Sequence, residues 1–321
     1  MEHIVFLDRA TIAPEISLSR PSFAHDWTEH QRTGPSETAG RLKDATIAIT
    51  NKVRIGADEL DAAPGLRLIA VAATGYDCVD IAACEARGVA VCNIRGYSVN
   101  TVPEHVFTLL LALRRSLVSY VREVQEGAWQ QAGQFCFFSG PIRDLSGSTL
   151  GIIGKGGIGS RVAAIGSAFG MKVIYAARPG APAEDGRVAF EDFCASADVI
   201  SLHCPLTPQT RGLMNDAAFA AMKRQPVILN TARGALIDLP ALERALEQGL
   251  VSGAGIDVAD KEPPAPDDIL MRLANHPRVL VTPHVAWASS EAQQTLADQL
   301  TSVLERFSAG DPINLLNPQR G

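Results

Sequence analysis

The segment LGIIGKGGIGSRVAAIGSAFGMKVIYAARPG, residues 150–180, restricts the fold more than any other part of this chain. It sets Gly154, Gly156 and Gly159 in a G-x-G-x-x-G spacing, directly after an apolar strand-like run and at the opening of a helix-like one, with a second strand-like run in phase. In that setting each glycine has a physical task. Gly154 permits a tight turn, Gly156 keeps side chains away from an approaching phosphate, and Gly159 lets helix and strand pack closely while the helix N-terminus faces negative charge. Gly157 and Ile158 complete the loop and share its predicted role. The spacing therefore predicts a dinucleotide-binding βαβ unit. Its second strand closes on Ala176, Ala177 and Arg178, where a carboxylate would receive the adenosine ribose hydroxyls of NAD. With no carboxylate to repel a 2'-phosphate and a guanidinium to pair with one, the expectation is NADP(H) in preference to NAD(H).

Strand-like and amphipathic stretches alternate along the rest of the chain. HIVFL (3–7), TIAI (46–49), LRLIAVAA (66–73) and VAVCN (89–93) make a first series. STLGIIG (148–154), MKVIYAA (171–177), DVISLHC (198–204), PVILNTA (226–232), GAGIDV (253–258) and VLVTPH (279–284) make a second, whose six members match a complete dinucleotide-binding sheet. The 321 residues exceed the usual reach of one hydrophobic core. The predicted class is α/β with two doubly wound parallel-sheet domains, a flavodoxin-like substrate domain and a Rossmann dinucleotide-binding domain. Residues 100–124 carry apolar side chains at 106, 109, 110, 113, 117 and 121, the spacing of one long amphipathic helix, and the crossing between domains is placed at its start. A helix over 289–309 is predicted to return to the first domain, giving boundaries of 1–99 plus 289–321 and 100–288. Between residues 127 and 147, Trp129, Phe135, Phe137 and Phe138 show no clear period; they suggest packing on their own domain or on a second subunit.

Composition excludes several classes. Apolar residues at 46%, charged residues at 20% and a net charge of -6 describe an ordinary globular protein with no signal for a nucleic-acid partner. The cysteines at 78, 84, 92, 136, 194 and 204 form no C-x-x-C pair and have no nearby histidine in a ligand pattern, so neither a metal site nor a disulfide framework is expected. The opening MEHIVFLDRA runs into a strand without a basic leader, and no apolar stretch reaches the roughly 18 residues that span a bilayer. The expected address is the cytoplasm, with no membrane partner.

The segments ATGYDCVDI (73–81), GKGGIG (154–159), SLHCPLTPQTRGLM (201–214), NTARGALID (230–238), GAGIDVADKEPP (253–264) and TPHVAWAS (282–289) resemble, in order and spacing, the D-isomer-specific 2-hydroxyacid dehydrogenases. The match covers nearly the whole chain. On FLDRATIAP, NTVPEHV, QFCFF and HVAWAS it looks most like the bacterial glycerate dehydrogenase or hydroxypyruvate reductase group. The resemblance implies a hydride transfer between a nicotinamide cofactor and a small 2-keto or 2-hydroxy acid, with hydroxypyruvate and glyoxylate, giving D-glycerate and glycolate, as the first expectation. Reduction of a bulkier 2-keto acid and a nicotinamide-sensing, corepressor-like binding protein are the alternatives. It further implies a homodimer.

Carried over residue by residue, the resemblance assigns Arg233 to substrate binding, Glu262 to support and His284 to acid–base work. The chemistry asks for those types. A 2-keto acid presents a carboxylate beside a carbonyl, which the rigid, permanently charged fork of an arginine can hold and polarise. The carbonyl oxygen needs a proton as hydride reaches carbon, and histidine changes charge near neutrality. A carboxylate beside it favours the imidazolium and fixes the ring. By the same resemblance Thr74 and Gly75 offer backbone N–H groups to the substrate carboxylate. Cys204, Pro205, Thr231 and Ala232 line the cofactor through backbone atoms, and Asp257 holds the nicotinamide carboxamide. Arg95 and Trp287 are weaker candidates for the substrate pocket. Two positions depart from the family pattern: Cys78, read as a packing change, and Lys155, which either brings a positive charge toward the pyrophosphate or is solvated.

Overall fold

In a computed structural model that describes residues 1–317, the chain divides into two compact units. Met1–Ser98 together with the described residues from Ala288 onward form the first, and Val99–Trp287 the second.

The first unit is built on β1 (Glu2–Phe6), β2 (His25–Glu29), β3 (Ile47–Thr50), β4 (Leu68–Val71) and β5 (Ala90–Asn93), all parallel, in the order β2-β1-β3-β4-β5. That is the flavodoxin-like order, with the strand sequence reversing between β1 and β3. β3, β4 and β5 are buried along their whole lengths, which is why they read as unbroken apolar runs with no alternation. β2 is an additional strand: HDWTE lies at the sheet edge with no fully buried residue, so no hydrophobic pattern announced it. The last helix, Ser290–Ser308, starts where Ser289 Oγ accepts the Ala292 N–H at 3.2 Å. It buries Leu296, Leu300, Val303 and Leu304, packs against β4, and ties back to the start of the chain through Gln293, whose Oε1 accepts the Ala13 N–H at 2.8 Å.

The second unit carries β6 (Thr149–Ile153), β7 (Lys172–Ala176), β8 (Arg187–Val188), β9 (Val199–Leu202), β10 (Val227–Asn230), β11 (Gly253–Ile256) and β12 (Val279–Val281), in the parallel order β12-β11-β10-β9-β6-β7-β8. The reversal falls between β6 and β9, and a ligand crevice belongs at the carboxyl ends of those strands. β8 is the strand beyond the expected six, a two-residue edge ladder too short to show a period.

The region 100–124 is two helices, not one. Thr101–Arg114 buries Val102, Val106, Phe107, Leu109 and Leu110, whereas Leu117–Gln125 buries no residue. Between them Ser116 adopts φ +49° and its Oγ donates to the Pro141 carbonyl at 2.7 Å, which turns the chain. The apolar spacing continues across that turn, so periodicity alone could not reveal it. After the short helix Ala128–Ala132, Phe137 packs on Tyr120 with ring centroids 5.6 Å apart, but Phe135 and Phe138 are 90% and 82% exposed, so the aromatic segment is only partly buried on its own unit. Among the described residues no helix is long and apolar enough to cross a membrane, and no group of three or more His, Cys, Asp or Glu is arranged to hold a metal ion.

Candidate active site

The glycine loop lies at the β6 end of the crevice. Gly156 caps the helix Gly157–Ala168 without a side-chain partner for its first N–H groups, and a Cβ at Gly156 would point into open space. Gly159 has no such freedom, because a Cβ there would stand 2.0 Å from the Gly154 carbonyl oxygen; only glycine lets the helix start beneath the loop. Across the reversal, the β9 exit brings His203 and Cys204 against the same loop. The Pro205 carbonyl accepts from Thr210 Oγ1 at 2.8 Å, which shapes that exit. At the β10 exit, Thr231 Oγ1 is buried without a hydrogen-bond partner. Open N–H groups on a helix start, a cradle free of side chains and an unsatisfied hydroxyl together fit a bound dinucleotide.

Arg233, Glu262 and His284 follow β10, β11 and β12, three adjacent strands. Asn230 at the end of β10 sets the first of them: its Oδ1 accepts the Ala232 N–H at 3.0 Å and its Nδ2 donates to the Arg233 carbonyl at 2.8 Å, folding the loop back on itself. The Arg233 guanidinium is braced by donating from Nη1 to the Ala232 carbonyl at 2.7 Å. A Cβ on the next residue, Gly234, would meet the Ala259 carbonyl carbon at 2.2 Å, so the Arg233 loop lies directly on the loop that leads to Glu262. One Glu262 oxygen accepts the Ala259 N–H at 3.0 Å and the other pairs with His284 Nδ1 at 2.7 Å. With Nδ1–H donating to the carboxylate, Nε2 is the ring nitrogen left to exchange a proton. Glu262 and His284 also border a cavity of about 450 Å³.

His284 itself has φ +57°, a left-handed conformation that costs a non-glycine residue about 1–2 kcal/mol and persists only where its surroundings enforce it. Asp257 enforces it. Only 1% exposed, its carboxylate accepts the N–H groups of Val285 at 3.0 Å and Ala286 at 2.9 Å and the Thr282 hydroxyl at 2.5 Å, gripping the chain on both sides of His284. Thr282 in turn meets His105 Nε2 at 3.0 Å, from the helix Thr101–Arg114. Because the hydroxyl proton goes to Asp257, His105 donates to Thr282. Trp287 packs against the apolar cluster that includes Ala286, Val102 and Val106.

In the first unit, Thr74 and Gly75 follow β4. Thr74 Oγ1 donates to the Ile94 carbonyl at 2.9 Å, and Asn93 Nδ2 donates to the Thr74 carbonyl at 2.7 Å, so the loop is held from β5. Arg95 supports Asn93 through Nε at 3.1 Å. Gly75 borders a cavity of about 630 Å³ with Asn51, Lys52, Arg54 and Cys78. Burial pushes the Cys78 thiol up to about 11, so it remains a protonated packing group, in line with its reading from the sequence.

The family model for the NAD binding domain of D-isomer specific 2-hydroxyacid dehydrogenases matches residues 107–286. The chain is also 47% identical over 315 residues to a glycerate dehydrogenase of Methylorubrum extorquens, covering 98% of each. The chain belongs to the D-isomer specific 2-hydroxyacid dehydrogenases. This dehydrogenase is 37% identical to a hydroxypyruvate reductase of Blautia hydrogenotrophica, with 89% of each chain covered. Its fold matches that of a solved NADPH-dependent glyoxylate/hydroxypyruvate reductase of Sinorhizobium meliloti in complex with citrate, with a TM-score of 0.84, 27% identity and 100% of both chains covered. Membership makes the chain an oxidoreductase with a nicotinamide cofactor. Asn230, Thr282 and His105 stand behind the Arg–Glu–His group of the second unit and were not singled out in the sequence. Asn230 and Thr282 lie inside the NTARG and TPH segments and were within reach; His105 is distant in sequence and left no local signal.

Proposed function

We propose that the chain reduces hydroxypyruvate and glyoxylate to D-glycerate and glycolate, with NADP(H) preferred over NAD(H). The observation that carries the reading is the 2.7 Å Glu262–His284 pair, set beside the Arg233 loop at the ends of adjacent strands in a sheet that also bears the glycine loop. The reduced nicotinamide supplies the hydride. Arg233 holds the substrate carboxylate and polarises the carbonyl, and Thr74 and Gly75 of the first unit offer N–H groups suited to a carboxylate. His284 gives the proton from Nε2 to the carbonyl oxygen, while Glu262 holds the ring through Nδ1. Gly154, Gly156, Gly157, Ile158 and Gly159 receive the pyrophosphate, and Arg178 receives the 2'-phosphate. Cys204, Pro205, Thr231 and Ala232 line the remaining length of the cofactor. Asp257 turns toward the loop that carries His284, so its part in holding the carboxamide is secondary to fixing that loop. The glycerate dehydrogenase and hydroxypyruvate reductase relatives support the substrate choice, and a homodimer is proposed on the family resemblance alone.

The test is a steady-state panel of hydroxypyruvate, glyoxylate, pyruvate and phenylpyruvate with NADPH and NADH in parallel. Hydroxypyruvate and glyoxylate with NADPH should give the highest kcat/KM, and His284→Asn should lower kcat by about 100-fold or more. Near wild-type turnover in that variant removes the proton-transfer role, and a kcat/KM for NADH at or above that for NADPH removes the cofactor preference.

A further inference from the structure

The β6–β7 register brings two cations to neighbouring positions. Ile152 and Tyr175 are partners in the ladder, and three residues further along each chain, past both strand ends, come Lys155 and Arg178. Both are exposed. The Lys155 ammonium lies over the Tyr175 ring, 5.2 Å from its centroid, so a side chain that belongs to the glycine loop is drawn sideways onto β7. Tyr175 is also paired with Arg187 of β8, and partners in a ladder project to the same face of the sheet, which adds a third positive charge to this end of the unit. The intervening Ala176 and Ala177 are buried and bring no carboxylate, and the next acids, Glu184 and Asp185, follow only after the exposed turn at 179–183.

We propose that Lys155 is the second cation of a 2'-phosphate site for an adenosine nucleotide, with Arg178 as the first and the Tyr175 ring as the rest that positions the ammonium. The inference rests on the NADP(H) reading above and assigns to it a residue that the glycine motif would otherwise direct to the pyrophosphate. The charges match: a phosphate monoester carries about -1.5 to -2 at neutral pH and accepts through three oxygens. A guanidinium fork can take two of them, and an ammonium on a flexible stem can take the third.

The experiment compares ligands that differ only in the phosphate in question, so it does not depend on turnover. Calorimetric titration of the full chain with 2',5'-ADP and with 5'-AMP, and fluorescence titration with NADPH and NADH, would be run on the wild type, Lys155→Met and Arg178→Met. Lys155→Met should weaken 2',5'-ADP and NADPH about tenfold and leave 5'-AMP and NADH within about twofold, the pattern of one lost charge-assisted contact. An equal loss for NADH and NADPH overturns the proposal by putting the ammonium on the pyrophosphate, and unchanged affinities throughout overturn it by leaving Lys155 to solvent. Wild-type protein that binds 5'-AMP as tightly as 2',5'-ADP defeats the NADP(H) reading itself. A wild-type preference that is undiminished in Lys155→Met defeats only the role of Lys155.

Discussion

His203 leaves β9 with its Nε2 2.8 Å from Ser201 Oγ, and desolvation pushes its pKa down to about 4, so the folded protein holds the ring neutral. The consequence for stability has a definite sign. The folded-state value lies below the ordinary 6.5, so between those two values the unfolded chain binds more protons than the folded one. Stability is complete above about pH 6.5 and is lost as pH falls from there toward 4. The ceiling is about 3 kcal/mol for a shift of this size. Because the residue is only partly buried, the expected loss is about 1–2 kcal/mol. His203→Asn keeps a partner for Ser201 but cannot titrate. Urea midpoints measured from pH 7 to 4.5 on cofactor-free protein should therefore fall less steeply in the variant, and parallel curves would assign the acid sensitivity to other groups.

The loop between β12 and the last helix works as an element because Asp257 holds it from β11. In Asp257→Asn the amide nitrogen is a donor facing donors, so one of the N–H groups of Val285 and Ala286 is left unsatisfied at a cost of about 1–3 kcal/mol. His284 then loses the constraint that keeps it at φ +57°. The expected result is a lowered urea midpoint and a kcat reduced about tenfold or more at saturating cofactor, since small misplacements of a reacting group are costly. A variant that instead binds NADPH weakly but turns over normally would mean that Asp257 acts on the carboxamide and not on the loop. Elements of this kind divide into those the sequence declares and those it does not. β3, β4, β5 and β9 are buried on both faces and had to be continuous apolar runs, and the glycine loop had to be glycine where backbone meets backbone at Gly159. The edge strands β2 and β8 are specified by ladder hydrogen bonds that any sequence can make, so they left no pattern. The turn at Ser116 depends on a contact with Pro141, far along the chain, and the types Arg, Glu and His were legible while the Asp257 grip that orients one of them was not.

At the scale of the whole molecule, the helix Leu117–Gln125 and the segment that follows it present apolar surface that this chain does not cover. Leu117, Val118, Val121 and Val124 are exposed on the helix, and Trp129, Phe135 and Phe138 are exposed beyond it. Scattered apolar residues are ordinary on a surface, but two phenylalanines at 90% and 82% exposure, following soon in the chain after four exposed aliphatic side chains, are more apolar surface than scattering supplies and suit an interface. The family resemblance makes a second copy of the chain the expected cover, and aromatic side chains near the centre of such an interface carry most of its binding energy. Leu117–Gln125 buries nothing on its own unit, so its apolar positions gain their desolvation only on association. Sedimentation velocity of the wild type should give a dimer across micromolar concentrations, and Phe135→Asp with Phe138→Asp should shift it to monomer. Because neither ring is buried within the chain, the double variant should retain its urea midpoint, which separates loss of the interface from loss of the fold. A double variant that still sediments as a dimer would place the subunit contact on another face, and a monomeric wild type would leave the exposed aromatics without this partner.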